Sequence, residues 1–150
     1  MAGLRVTAEN SAAVALSAAT AKTILQLNAP ANQRLKLQRV GVFFDGSSTT
    51  AVPVLVRLVI ATTAGTNTSL TLNKLVSADS ETIQTTAGEN ATVEPTKTTL
   101  LDQWLVHPQM GVDITYAFGQ EKIIVGGSRV AIECTAPATV NVRAKIDFEE

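Results

Sequence analysis

The chain has 150 residues, and its 12 Lys and Arg against 13 Asp and Glu give a formal net charge of −1. This length suits one domain with a sizeable core, and the balanced charge excludes a broad basic field for gripping nucleic acid phosphates. A single His and a single Cys exclude an internal disulfide and a structural zinc site. Ala (21 residues) and Thr (20 residues) supply more than a quarter of the chain and charged residues only 17%, a composition that favours β structure and protein contacts.

The first segment, residues 1–21, is rich in Ala and has weak periodicity. Leu4 and Val6 could form a short added strand, and residues 12–21 could form a short helix or lie extended against a neighbour. The segment lacks the basic start and strongly apolar centre of a signal peptide, and the chain has no apolar run of about 18 residues, so we expect neither a signal peptide nor a membrane span. We therefore predict an N-terminal arm over residues 1–21 and one domain over residues 22–150.

Short apolar runs separated by Gly, Pro, Asn, Asp and Ser follow this arm, a pattern typical of an antiparallel all-β domain. The pattern predicts eight main strands, at residues 22–28, 34–44, 54–62, 99–106, 113–118, 122–125, 129–135 and 139–148. Eight such strands around one core indicate a β-sandwich of jelly-roll type, although another Greek-key sandwich would give the same runs and turns.

Alternation of apolar and polar residues is clearest in the last two strands, where every second residue is predicted to face the core. Cys134 takes an inward position in this pattern, so we interpret it as a small buried apolar residue and not as a nucleophile. The second strand changes parity between Leu37 and Val40, which predicts a β-bulge close to Gly41.

Residues 69–97 form a long, Thr-rich excursion between the third and fourth predicted strands. Leu70, Leu72, Leu75 and Val76 could supply a short strand or a helical turn, but residues 77–97 have the composition of a loop. A loop of this length within a compact domain is usually functional or disordered.

Few side chains suit catalysis. His107 has Asp102 and Asp113 as its nearest carboxylates in sequence, but no nucleophile motif accompanies them, so we expect a turn residue. Glu89, Glu94 and Asp102 could supply a carboxylate pair for glycoside hydrolysis, but nothing in the sequence fixes their separation.

The Gly-containing loops are equally weak signals. No helix follows the loops at 64–66 and 126–128, which excludes a phosphate-binding loop, and the turn at 45–48 lacks the acidic ligands of a calcium loop. We predict that the protein is not an enzyme and has no catalytic residue, cofactor-binding residue or metal ligand. We also expect no small-molecule substrate and no nucleic acid partner, because the basic residues are scattered and aromatic residues are few.

The remaining interpretation is a protein interaction. A sandwich has open sheet edges, and this composition provides few of the charged residues that guard the edges of monomers, so we expect a homo-oligomer. The predicted interface residues are Leu4, Val6, Val14 and Leu16 of the arm, together with Trp104. Further candidate anchors are Phe43, Phe44 and Tyr116.

Several stretches together resemble small bacteriophage capsid decoration proteins, also called cement proteins. They are TAENSAAVALSAATAKTILQL, RVGVFFDGSS, VRLVIATTAGT, NATVEPT, WLVHPQMG and APATVNVRAKIDFEE. The resemblance covers most of the chain but consists of segment style and order. It implies a β-rich homotrimer on the virion exterior, bound at three-fold or quasi-three-fold points, that clamps adjacent major capsid protein subunits.

Two other functions stay open at this point. One is a phage tail, fibre or receptor-binding module, including a carbohydrate-binding jelly roll. The other is an enzyme or small-molecule binder whose site the sequence does not reveal.

Overall fold

A computed structural model describes residues 3–150, which form thirteen strands and no helix. The strands are β1 (Arg5–Glu9), β2 (Val14–Leu16), β3 (Ala21–Asn28), β4 (Leu35–Phe44), β5 (Val54–Ala61), β6 (Thr66–Leu70), β7 (Asn73–Lys74), β8 (Thr86–Val93), β9 (Lys97–Val106), β10 (Gly111–Thr115), β11 (Lys122–Ile124), β12 (Arg129–Thr135) and β13 (Val140–Glu149). The seven-stranded sheet has the order β10-β4-β13-β1-β7, with β11 also beside β4 and β2 beside β13. The six-stranded sheet has the order β6-β8-β3-β12-β5-β9.

The prediction of an all-β antiparallel sandwich is confirmed. The eight predicted strands correspond to β3, β4, β5, β9, β10, β11, β12 and β13, and no predicted end lies more than three residues from the observed one. Apolar side chains of both sheets form one buried core, with Phe148 and Ile132 among its largest fully buried members. The inward residues of β12 and β13 pack in or against the core as expected, Cys134 among them, but Ala131 and Glu133 on the other face of β12 are buried as well.

The segment predicted as an N-terminal arm is instead part of the seven-stranded sheet. β1 pairs with β13 along its whole length, and β2 pairs with the start of β13. Of the two alternatives for residues 12–21, the short helix is wrong, because Val14–Leu16 pairs in extended form with β13. The short added strand expected around Leu4 and Val6 is present as β1. Met1 and Ala2, the first residues of the predicted arm, lie outside the described residues.

The excursion at residues 69–97 is more ordered than predicted. It contains β7, all of β8 and the start of β9, which leaves residues 75–85 as the main loop. β8 carries Gly, Asn and Glu, residues that are depleted in strands, so its sequence predicts a loop. Close packing explains why Gly88 lies in this strand, since a Cβ at this position would lie 2.6 Å from the side chain of Asn67 in β6.

The parity change in β4 is confirmed, but the bulge lies at Gln38 and not at Gly41. Asp147 pairs with Arg39 and Phe148 with Leu37, so Gln38 is the unmatched residue. The extra residue turns both apolar sets of β4 toward the core. Gly41 serves a different purpose, since the ring of Phe43 lies over it on the outer face, 3.0 Å from where a Cβ would be.

Asn10 joins the two sheets through a buried hydrogen-bond network. Its side-chain amide donates to the carbonyl oxygen of Ile24 (3.0 Å) and to Oε2 of Glu89 (2.9 Å), both in the six-stranded sheet. Its Oδ1 accepts from the backbone N–H of Ala144 in the seven-stranded sheet (2.8 Å). The backbone N–H and hydroxyl of Ser11 also donate to Glu89, so neutral donors hold this buried carboxylate.

We predict that Asn10→Ala lowers the free energy of unfolding by about 2–4 kcal/mol. The substitution leaves buried groups in both sheets without a partner, at about 1–3 kcal/mol for each such group. Urea unfolding at neutral pH measures the effect. Asn73→Ala in β7, which removes an exposed amide, is the matched control and should stay within about 0.5 kcal/mol of wild type.

Glu89 should also make stability depend on pH. Burial raises the pKa of this carboxyl, but hydrogen bonds from Ser11 and Asn10 outweigh burial and leave the pKa below its ordinary 4.5. The stabilisation is therefore complete above pH 4.5 and is lost as the pH falls through the folded-state pKa. We expect Glu89→Gln to be less stable than wild type at pH 7 and to differ from it much less at pH 3, as measured by urea unfolding. An equal difference at both pH values would contradict this role.

Candidate interaction surface

Four loops meet at one end of the sandwich and carry almost no charge. They are residues 17–20, 45–53, 107–110 and 136–139, and their one formally charged side chain is that of Asp45. Contacts join them: Ala18 bridges to Ala136, and the backbone N–H of Gly46 donates to the carbonyl oxygen of Pro108 (2.8 Å). We call these four loops the uncharged end.

Asp45 fixes the loop at residues 45–53 to the start of β13. Its carboxylate accepts from the backbone N–H of Asn141 (3.0 Å) and from the side-chain amide of the same residue (2.8 Å). Both bonds lower the pKa of Asp45, and the bond from the Asn141 side chain has the larger effect. The carboxylate therefore stays ionised and fixed at neutral pH.

A cleft of about 680 Å³ opens between these loops. Four hydroxyl side chains, Gly46, Asp45 and Asn141 form part of its lining, and the apolar part comes from Ala51, Val52, Val54, Pro108, Pro137, Ala138 and Val140. Val52 is 62% exposed at its mouth. Asp45 is the only charged residue in this lining, so the cleft suits an uncharged occupant, because a buried charge without a partner is costly.

Both sheets end along one side of the sandwich, at β9 and at β10 with β11. Asp102 of β9 joins these strands, since it accepts from the hydroxyl of Tyr116 (2.7 Å) and lies 3.2 Å from Nζ of Lys122. The pKa of Tyr116 lies far above its ordinary value. Burial of the side chain is the largest cause, and the bond to Asp102 adds to it. We call the side formed by β9, β10, β11 and the residues that connect them the open edge.

Exposed apolar side chains concentrate along this edge. Residues 3–150 include eleven large exposed apolar side chains, and seven belong to the open edge or to the strand and turn beside it: Phe43, Leu100, Leu105, Met110, Phe118, Ile123 and Val125. Phe118 is 94% exposed and Leu105 is 73% exposed. Concentration of exposed apolar groups on one side is typical of a protein contact.

Only the first half of β9 has features that hinder pairing with a further strand. Two register shifts against β5 leave Leu101 and Thr98 unmatched, and such bulges disturb an edge. Residues 102–106 pair regularly with β5, and their one charged side chain, Asp102, is used in the contacts with Tyr116 and Lys122. The regular half next to the uncharged end is therefore open to a partner.

The predicted interface residues have different positions from those expected. Leu4, Val6, Val14 and Leu16 are at most 5% exposed and lie in the core of this chain, so they cannot contact a partner without unfolding β1 or β2. Trp104 is half-buried and packs partly on the core. Phe44 and Tyr116 likewise pack on the core, whereas Phe43 is exposed.

The most exposed members of the surface were missed by the sequence analysis. Because Leu105 directly follows Trp104 in β9, the two side chains point to opposite faces of the strand. The choice of Trp104 as the interface residue therefore left out the face that carries Leu105. Phe118 was assigned to the end of a strand, but the chain leaves the sheet after Thr115.

The candidate catalytic side chains are spread over separate structural networks. Nδ1 of His107 accepts from the backbone N–H of Gln109 (3.2 Å) within a turn, as expected, and Asp113 pairs with Arg39. Glu89 binds Asn10 and Ser11. Residues 3–150 contain no group of three or more His, Cys, Asp or Glu side chains placed to hold a metal ion.

Glu94 belongs to a charged network on the outer face of the six-stranded sheet. Its carboxylate accepts from Thr23 and pairs with Lys97 (2.7 Å), and Lys97 also pairs with Glu133. Arg57 lies 3.3 Å from the other oxygen of Glu133. Burial raises the pKa of Glu94, but the bonds from Lys97 and Thr23 outweigh it and lower the pKa overall. The charges of the two acidic and two basic side chains balance, which fits a structural role for this network.

Burial also decides the chemistry of Cys134, since it raises the pKa of the thiol far above its ordinary value and keeps the group protonated.

Within residues 3–150, no helix is long and apolar enough to cross a membrane. Comparison with known proteins finds no matching family model, no matching curated protein and no matching solved structure. Function must therefore be inferred from the surfaces of the molecule and from the sequence resemblance.

We predict that Tyr116→Phe lowers the free energy of unfolding by about 1 kcal/mol, because the hydroxyl bonds a carboxylate that ties the two sheets at the open edge. Phe118→Ser, two residues away, should leave the free energy of unfolding within about 0.5 kcal/mol of wild type at protein concentrations that keep both chains monomeric, since this ring is solvated in the single chain. Urea unfolding of both variants tests the assignment. It fails if the loss at Phe118 equals or exceeds the loss at Tyr116.

Proposed function

We propose that this chain is a virion structural protein of the decoration type, which binds the outside of an icosahedral phage capsid and bridges major capsid protein subunits. The observation that carries the proposal is the uncharged end, bordered by the open edge. Depletion of charge is the compositional mark of interface cores. The sequence resemblance to decoration proteins supplies the kind of partner.

The proposal extends to the finer fold and to the assembly. A jelly roll is supported by the way the chain alternates between sheets from β3 to β5 and again from β9 to β13, where β10 and β11 together act as one interrupted strand beside β4. The protein would act as a homotrimer on the virion exterior after synthesis in the host cytoplasm. No cofactor and no small-molecule substrate enter this function.

Stabilisation of a shell needs binding energy and no chemistry. A protein that binds only the assembled shell stabilises that state by about 2.7 kcal/mol per site when its free concentration is 100 times Kd. Many equivalent sites make the total large although each contact is small. A rigid sandwich suits this task because little conformational entropy is lost on docking.

Shell binding tests the proposal directly. Capsids of the phage that encodes this chain, assembled without it, are mixed with the purified protein and sedimented. We expect a saturating, fixed number of copies per shell and greater resistance of the shell to heat. Absence of the protein from the pelleted shells, in both their compact and expanded forms, would contradict the proposal.

A matched pair of variants tests the assigned surface. Leu105→Asp places a charge on the open edge next to the uncharged end, and we expect it to weaken shell binding by roughly tenfold or more. Val93→Asp adds the same charge beside the other edge of the six-stranded sheet, where Val93 of β8 is 58% exposed and pairs with Thr66 of the edge strand β6. The control should bind as wild type does. Equal binding by both variants would remove the open edge from the shell contact.

A further inference from the structure

The loop between β10 and β11, residues 116–121, presents the most exposed large apolar side chain of residues 3–150. We call it the Phe118 loop. Its base is fixed at Tyr116, whose backbone N–H donates to the carbonyl oxygen of Gln38 (2.9 Å) and whose hydroxyl bonds Asp102. Phe118 therefore projects sideways from an anchored part of the open edge.

The loop is held in one conformation by its own contacts. The backbone N–H of Gln120 donates to the carbonyl oxygen of Ala117 (2.8 Å), and that of Gly119 donates to the carboxylate of Glu121 (2.6 Å). Gly119 has φ +85°, a conformation that other residues rarely adopt, and nothing lies within 4 Å of where its Cβ would be. Glu121 also pairs with Lys36, whose Nζ lies 5.2 Å from the centre of the Phe118 ring. A preorganised aromatic side chain of this kind loses little entropy when a partner buries it.

The cleft at the uncharged end has the matching properties. Its volume of about 680 Å³ lies within the range of ligand pockets, and its walls are mainly apolar or hydroxyl-bearing, with Asp45 and Asn141 as the other polar side chains. The tip of the Phe118 loop, residues 117–120, carries no charge, and the only charge in the cleft lining is that of Asp45. Glu121 at the end of the loop has the same sign as Asp45, but it is paired with Lys36, and Asp45 accepts two hydrogen bonds from Asn141, so neither surface presents an unpaired charge to the other.

We propose that the Phe118 loop of one copy inserts into the cleft at the uncharged end of a second copy, so that identical chains associate head to tail. This inference rests on the proposed function, since it names the contact that would hold the decoration oligomer together. The buried ring would remove roughly 150–250 Å² of aromatic surface from water, which makes Phe118 the anchor of the contact.

The positions of the two surfaces limit the possible assemblies. The loop lies on the side of the sandwich and the cleft at its end, so each contact has a donor copy and a receiving copy. The contacts close either in a two-fold dimer, in which each copy donates and receives, or in a ring, of which three copies about a three-fold axis are the case that the proposed decoration role requires. Leu105 and Met110 do not line the cleft and remain available to the shell.

Light scattering on a sizing column tests the proposal with two variants. Each variant disrupts one side of the contact and leaves the other side intact. Phe118→Ser removes the donor and keeps the cleft, whereas Val52→Asp charges the cleft and keeps the donor. We expect the wild type to form an oligomer of several 15.8-kDa chains and each variant alone to be monomeric. An equimolar mixture should restore one intact contact per pair and give a species of twice 15.8 kDa, with no ring.

Matched controls separate this contact from general effects. Val125→Ser removes another exposed apolar side chain, directly after β11, and Val93→Asp adds a charge beside the other edge of the six-stranded sheet. Both should keep the wild-type oligomer. Circular dichroism and urea unfolding establish that Phe118→Ser and Val52→Asp are folded, which exposure of both side chains predicts.

Three results would overturn the inference. They are a wild type that stays monomeric at about 100 μM, well above the Kd of weak specific contacts, an oligomer that survives Phe118→Ser, and a mixture of the two variants that forms no dimer. Shell sedimentation distinguishes these failures from failure of the proposed function. A wild type that binds shells while Phe118→Ser keeps the oligomer refutes the loop contact alone, whereas a wild-type oligomer that binds no shell refutes the decoration role alone.

Discussion

Two sheets that do not close into a barrel must leave backbone groups unpaired along their outer strands, and this constraint shapes the whole surface of the molecule. On one side, the chain passes directly from β6 of one sheet to β7 of the other, and β7 is only two residues long. On the other side, β9 and the interrupted pair β10 and β11 stay open. The exposed apolar side chains collect there, and the uncharged end lies next to them. The distribution of surface chemistry is therefore a consequence of where the sheets end.

Polar groups inside the sandwich determine how the two sheets fit together. Apolar packing alone tolerates sliding of one sheet over the other, whereas the network of Asn10 and Glu89 is satisfied in one arrangement only. Asn10 follows β1 directly, so the same contact fixes the N-terminal strand to β13. The network thus explains why a segment with weak periodicity is an ordered part of the sheet.

Sequence patterns predicted the strands whose alternation is strong and missed those that depend on partners. β12 and β13 have a period of two in large apolar residues, which is sufficient to assign both strand and face. β8 has small and polar residues whose burial depends on Asn67 and Asn10, and no local pattern reveals such contacts. The open edge was unpredictable for a related reason. A period of two shows which residues share a face with Leu105, but only the assembled sheets show which face is left uncovered.

Residues 4 and 150 exchange backbone hydrogen bonds, Leu4 N–H to the carbonyl oxygen of Glu150 (3.1 Å) and Glu150 N–H to that of Leu4 (3.0 Å). Because β1 and β13 run antiparallel, both ends of the described chain emerge together at the pole opposite the uncharged end. Any polypeptide joined at either position would start from this shared point and extend away from the cleft and from Leu105. A fluorescent protein or an antigen fused at residue 150 would therefore leave the uncharged end uncovered.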